Sequence, residues 1–357
     1  LPAFLRFLFY RFLSIPITLL VVTLLLYGTA MLTPVEVRAE LYMPPLSRQD
    51  LSEERIAALK EVIIRRYRLD DPFPIQYALW LGNLLHGDWG YSQVLGESVL
   101  PALLRRTPVT VELTLFSLLG MIPLGLLAGI LAGERPHSAF DRRLRLTAFL
   151  ATSMPTFILA LVLLALFYVG VRWFPPERLG LSLSFVVKSP EFLSYTGLLT
   201  IDGLLNRRPD VTLDALRHLV LPVFTLSLTH WATLARVTRI SLIEEMQKDY
   251  VIAGRARGLN QRRLVWRHAF RNTIAPALTS SSLSAAALVT GVYVVEVIFN
   301  FHGLSEILVR GMQDVPDAAA TLGFALYSVT LVLVLMFILD VLQAVFDPRI
   351  RAGVLAS

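Results

Sequence analysis

Six stretches of this chain stay apolar for about 20 residues each, the length an α-helix needs to cross ~30 Å of hydrocarbon. They lie at 12–32, 108–132, 147–171, 218–237, 276–299 and 318–345. A soluble domain must wet its surface, and a chain of 357 residues with 55% hydrophobic residues and a mean hydropathy of +0.61 has too little polar side chain for that. The expected fold class is an all-α polytopic membrane protein with six transmembrane helices. The first run follows Arg6 and Arg11, and Gly28-Thr29-Ala30 would suit a signal-peptide cleavage site. The run exceeds the ~7–15-residue core of a signal peptide, so it reads as an uncleaved first span.

The absence of cysteine excludes disulfides and thiolate metal sites. The net charge of +6 is carried almost wholly by arginine. No basic stretch alternates with stacking aromatics, as single-strand nucleic-acid binders require, so nucleic acid is not an expected partner. Cytoplasmic loops of membrane proteins collect Lys and Arg, and short loops report orientation best. Residues 133–146 hold Arg135, Arg142, Arg143 and Arg145 against Glu134 and Asp141, and 236–271 hold eight Arg and one Lys against Glu244, Glu245 and Asp249. The loop 300–317 holds only Arg310 against Glu306, Asp314 and Asp317. Both termini and the first two loops are therefore expected in the cytoplasm, with 33–107 and 172–217 outside.

This organisation gives a cytoplasmic start with the first span (1–33), a small external subdomain (34–107), a core of five spans (108–346) and a cytoplasmic tail (347–357). Within the external stretch, 50–68 places Ile56, Leu59, Ile63 and Tyr67 at helical spacing, with Asp50 or Ser52 as cap. There are no tandem repeats.

One loop is too polar for the membrane and too patterned for a tether: RISLIEEMQKDYVIAGRARGLNQRRLVWRHAFRNTIA at 239–275. Its first half, 240–257, is expected to be helical. Gly258 supplies the left-handed residue that ends the helix, and Asn260 caps a second one over 261–273. Ala253, Gly254, Ala256 and Gly258 leave one face without bulk, open to close approach by another protein. The same residues would also suit an amphipathic hairpin whose arginines meet anionic lipid.

The segment DYVIAGRARGLNQRRLVWRHAFRN, followed by IAPAL, resembles the cytoplasmic signature of binding-protein-dependent ABC importer permeases, the EAA loop. In the general pattern Ile252, Ala253 and Gly254 occupy the Glu-Ala-Ala positions, and His268, Phe270 and Arg271 the closing Ile, Leu and Pro positions. Only Ala253 and Gly258 match that pattern literally. The dipeptide, oligopeptide and nickel branch usually reads close to DYVRTARAKG, then RHALRN and a proline. Asp249, Tyr250, Val251, Arg255, Ala256, Gly258, Arg267, His268, Ala269, Arg271, Asn272 and Pro276 fit that version. DDPFPIQYALWLGNLLHGDWGYS at 70–92, TPVTVELTLFS at 107–117, LRHLVLPVFTLSL at 216–228, VEVIFNFHGL at 295–304 and Asp347-Pro348-Arg349 are similar to further family segments in the same order.

The resemblance implies the type I importer permease fold, with this chain as the first, B-type membrane subunit. It implies a second homologous permease, two ABC ATPase subunits, an extracytoplasmic substrate-binding protein and a peptide cargo in a bacterial or archaeal cytoplasmic membrane. Nickel chelates, glutathione or oligosaccharides are alternative cargoes. The ATPase contact would fall on Asp249, Tyr250, Ala253, Gly254, Arg255, Ala256, Arg257 and Gly258.

The residues themselves are consistent with a chain that burns no fuel. A Walker-type phosphate loop needs Gly-Lys-Ser/Thr, and Lys60, Lys188 and Lys248 follow Leu, Val and Gln. No catalytic residues, cofactor or metal site are expected here; ATP and magnesium belong to partner subunits. Among intramembrane carboxylates, Glu112 and Glu296 fall near the outer ends of their spans and are candidates for a pathway or outer gate. They could equally be interfacial acids meeting water or an arginine such as Arg105 or Arg106. Asp340 is expected near the inner end, paired with a loop arginine. Pro123, Pro155 and Pro222 lie within spans and can kink them. An ion-driven secondary transporter would favour broken, charged helices at mid-membrane and inverted repeats, which the sequence lacks.

Overall fold

A computed structural model describes residues 3–40, 53–313 and 317–346. The helices are α1 (Ala3–Ala30), α2 (Val35–Glu40), α3 (Glu53–Tyr67), α4 (Phe73–Leu85), α5 (Val99–Glu134), α6 (Ala139–Ser153), α7 (Thr156–Gly170), α8 (Leu181–Val187), α9 (Leu199–Leu205), α10 (Pro209–Glu245), α11 (Asp249–Ala256), α12 (Gln261–Ile298), α13 (Ser305–Met312) and α14 (Ala318–Phe346). α7 ends in a π-helical stretch, Leu164–Gly170, and α12 contains another, Leu264–Ala269. The strand content of the described residues is one two-stranded hairpin, β1 (Tyr91–Ser92) with β2 (Glu97–Ser98).

Among the described residues, five helical stretches are long and apolar enough to cross a membrane: Arg6–Ala30, Val99–Glu134, Pro209–Glu245, Gln261–Ile298 and Ala318–Val345. The sixth candidate, α6 with α7, bends by 103°. The span expected over 147–171 falls on this pair, which is a sixth span if the two helices cross as one broken helix. Pro155 forces the preceding Met154 into extended backbone (ψ 126°) and brings no N–H to the ladder. Pro123 and Pro222, by contrast, sit inside unbroken α5 and α10.

The chain divides into two compact units. Leu1–Phe9, Pro108–Gly303 and Val334–Ser357 form one, and Tyr10–Thr107 with Leu304–Leu333 form the other. The first is built on α10 and α12, whose Leu226, Leu288, Val292 and Phe299 share a buried core with Leu113 and Met121 of α5. Small residues bring the helices close: a Cβ on Gly129 would lie 2.6 Å from the Ala235 carbonyl oxygen.

In the second unit, α3 sets Ile63 against Ala39 and Leu69, with Ile56 and Leu59 alongside. Tyr67, expected on that face, is instead exposed, and Ile64 packs there. Asp50 and Ser52 lie outside the described residues. Arg38 donates to the Gln76 side chain (2.9 Å) and the Leu69 carbonyl (3.0 Å), joining α2 to α4. Leu304–Leu333, part of the expected core 108–346, clusters with this unit. Its Asp317 accepts from Ser92 (2.7 Å), its Glu306 from Arg106 (2.9 Å), and its Tyr327 hydroxyl meets Thr107 (2.8 Å).

Candidate coupling site

α10 does not run on to residue 257. It stops at Glu245, three residues turn the chain, and α11 starts afresh at Asp249. Asp249 places its charge in the first turn of α11 and Arg255 in the last, as the helix dipole favours. The helix then ends in a Schellman motif. The Gly258 N–H donates to the Arg255 carbonyl (3.0 Å) and the Leu259 N–H to the Gly254 carbonyl (3.2 Å), with Gly258 at φ +80°. Asn260 caps the next helix, its side chain accepting from the Arg263 N–H at 2.8 Å. That helix is not separate from the fifth span, as 261–273 was expected to be. The π turn carries it straight into α12, with Pro276 inside.

The inner side of the corner is fixed by apolar packing. Val251, Leu264, Val265 and Ala269 are buried, and Val265 and Ala269 pack with Ile130 and Leu242 at the ends of α5 and α10. Gly254 belongs to this inner side, since a Cβ there would stand 2.8 Å from Leu264 Cδ2. Its smallness therefore serves packing within the chain. Ile252, Ala253, Arg255, Ala256, Arg257 and Gly258 all face solvent, Ile252 at 52% exposure. Arg262, Arg263, Arg267 and Arg271 are likewise exposed, and none makes an ion pair among the described residues.

Glu245 holds the corner from within. Its carboxylate is 5% exposed and takes the Tyr250 hydroxyl (2.7 Å), the Asn272 amide (2.8 Å) and the Lys248 ammonium (2.6 Å). Burial, reinforced by the bond to Glu245, pushes the Tyr250 phenol up to about 12. The phenol thus remains a donor throughout the ordinary pH range. Glu245 and Asn272 stand 27 positions apart; no local spacing rule links them, and the sequence reading used Glu245 only as a charge. Buried Asp141 pairs with Arg239 and, at 3.7 Å, with Arg145.

A short amphipathic helix, outward and unpaired on one face, thus sits on a corner rigidly tied to two long apolar helices. Residues 123–352 match the model of the family described as the binding-protein-dependent transport system inner membrane component. The chain belongs to that family. It is a multi-pass membrane permease, and the family is one of transport components rather than enzymes. The permease is 35% identical to the di/tripeptide transport system permease protein DppB of Pseudomonas aeruginosa over 81% of this chain and 84% of that one. It is 30% identical to the oligopeptide transport system permease protein AppB of Bacillus subtilis over 95% and 96%. A probable D,D-dipeptide transport system permease protein, DdpB of Escherichia coli, is 31% identical over 83% and 85%.

The other candidate residues of the permease are enclosed by its own side chains. Glu112, 2% exposed, accepts from Arg178 (2.5 Å) and from both the N–H (2.9 Å) and hydroxyl (2.7 Å) of Thr200. Its cation is therefore Arg178, not Arg105 or Arg106, which pair with Glu97. Glu296 is fully buried, accepts from the Thr110 hydroxyl and lies directly under Gly303, where any side chain would collide with it. Asp340 is buried as well. No group of three or more His, Asp or Glu side chains among the described residues could hold a metal ion.

Proposed function

We propose that this permease forms half of the translocation pathway of an ATP-driven peptide importer, and that α11 is the element an ATPase subunit grips. The observation that carries the reading is the corner itself: an exposed eight-residue helix with no partner on its outer face, locked to α10 and α12 by Glu245 and the Schellman turn. A rigid link of this kind passes displacement of α11 into the bundle. Peptide cargo is supported by the printed names of the relatives. A second homologous permease, two ATPases carrying ATP and magnesium, and an extracytoplasmic binding protein complete the assembly. Both termini and the corner face the cytoplasm of a bacterial or archaeal cell.

Direct docking is tested by cross-linking in the reconstituted transporter. Ala253→Cys lies on the outer face of α11 in a chain with no other cysteine. A bifunctional reagent is expected to join it to the ATPase, with peptide uptake that requires ATP and stops with vanadate. Absence of an ATPase adduct together with vanadate-resistant uptake overturns the reading.

A further inference from the structure

The segment between α7 and α10 bonds many of its polar groups internally while leaving several large apolar side chains exposed. Asp202 and Thr200 are buried, as is Thr212 near the start of α10. Asp202 accepts the N–H groups of Thr196 (2.9 Å) and Gly197 (2.9 Å) and the Thr196 hydroxyl (2.7 Å). Asn206 closes both polar groups of Leu193 (2.9 and 2.8 Å), and Ser184 and Ser189 return their hydroxyls to backbone carbonyls three residues back. Leu179 and Leu199 form a buried core with Val211 and Ala215, and Leu183, Val187 and Phe192 pack on it, while other large apolar side chains turn outward. Leu181 and Phe185 share a face of α8 and are 74% and 66% exposed; Ile201, Leu204 and Leu205 share a face of α9.

A water-facing loop has no reason to spend its hydroxyls internally while showing leucine to solvent, whereas a segment in contact with hydrocarbon must do both. Two further observations say what covers the face. Leu205 lies just before Pro209, where the long apolar helix α10 starts, and the exposed face continues along that helix through Leu213, Val220 and Phe224. Exposed Arg172, Lys188 and Arg207 flank the two short helices, and exposed Trp173 and Tyr195 accompany them. Cations with Trp and Tyr beside an apolar band are the chemistry of the headgroup boundary.

We infer that α8 and α9 lie in the lipid boundary at their end of the bundle, with Leu181, Phe185, Ile201, Leu204 and Leu205 among acyl chains. The internally bonded polar groups and the small core of Leu179 and Leu199 then support a raft fastened to α5 through Glu112, Arg178 and Thr200.

The test uses the whole transporter in nanodiscs of phosphatidylcholine and phosphatidylglycerol. Single variants Phe185→Cys and Leu204→Cys carry an environment-sensitive fluorophore, with Glu191→Cys, on an exposed residue of the same segment, as the aqueous reference. Only complexes that retain ATP hydrolysis are scored. Quenching by doxyl lipids is expected to be several-fold stronger at 185 and 204 than at 191, with iodide showing the reverse order. Iodide reaching 185 and 204 as readily as 191 overturns the inference. Shielding from both quenchers also overturns it and gives the face to the neighbouring permease. Iodide protection that appears only on adding the binding protein gives it to that protein instead.

Discussion

Tyr250 donates its phenolic hydrogen to Glu245 at 2.7 Å, across the break that separates α10 from α11. The bond replaces the helical backbone that fails at residues 246–248, and it sets the angle at which α11 leaves the membrane helix. Tyr250→Phe should loosen α11 while leaving the bundle folded. A hydrogen bond to a charged group contributes ~1.5–3 kcal/mol, so amide exchange over 249–256 should accelerate by at least tenfold in the variant, with exchange in α12 unchanged.

The same bond sets a limit at high pH. The phenol is raised to about 12, above its ordinary value near 10. Stability from a raised group is complete below the unfolded value and is lost as pH climbs through the folded one. The corner should therefore hold to about pH 10 and weaken from there toward 12. Difference absorbance between the parent and Tyr250→Phe should show one tyrosine ionising late.

Small residues on α11 should divide by side. Gly254→Leu drives a side chain into Leu264; overpacking of this kind costs ~1–3 kcal/mol and should lower the melting temperature. Ala253→Leu points into solvent and should leave melting unchanged while abolishing ATP-coupled uptake. Melting curves and uptake in proteoliposomes distinguish the two.

Gly258 has open space around it, so bulk alone is harmless there. Its φ of +80° is the obstacle, and a residue with a Cβ in that region costs ~1–2 kcal/mol. Gly258→Val should uncouple hydrolysis from uptake, and Gly258→Asn should retain most coupling because asparagine tolerates the left-handed region. Equal loss in both variants would point to contact rather than conformation.

Arg178→Ala strands Glu112 as a buried charge without its cation, a change that typically costs 3–5 kcal/mol. Pairing it with Glu112→Ala should recover much of the loss, a non-additivity readable from melting temperatures. Should Glu112→Ala with Glu296→Ala then transport normally, both carboxylates are scaffolding and not part of the pathway.

What was legible in the sequence followed local rules. Gly258 and Asn260 announce a helix end and a helix start through their own backbone preferences, and both do that here. Apolar run length located the spans, and α10 and α12 are longer than their apolar cores because helix continues into the polar flanks. Long-range pairings were not legible. Nothing near Glu112 points to Arg178, 66 positions on, and nothing near Glu245 points to Asn272. Gly254 is set apart from Ala253 by its inward neighbour Leu264, ten positions on, which no local rule names. Pro155 was read as a possible kink, but the extended Met154 turned it into a corner.

The unbroken course of α12 makes the two sides of the coupling corner unequal. At 1.5 Å per residue its 38 residues reach roughly 57 Å, continuous in helix through the π turn and Pro276. On the α10 side the helix breaks at Met246–Gln247–Lys248, and Glu245 bridges that break through Tyr250 and Asn272. If an ATPase grips α11, as proposed, α11 is the handle of a crank whose shaft is α12: a small tilt at the handle swings the far end, where Glu296 sits beneath Gly303, through a proportionally larger arc.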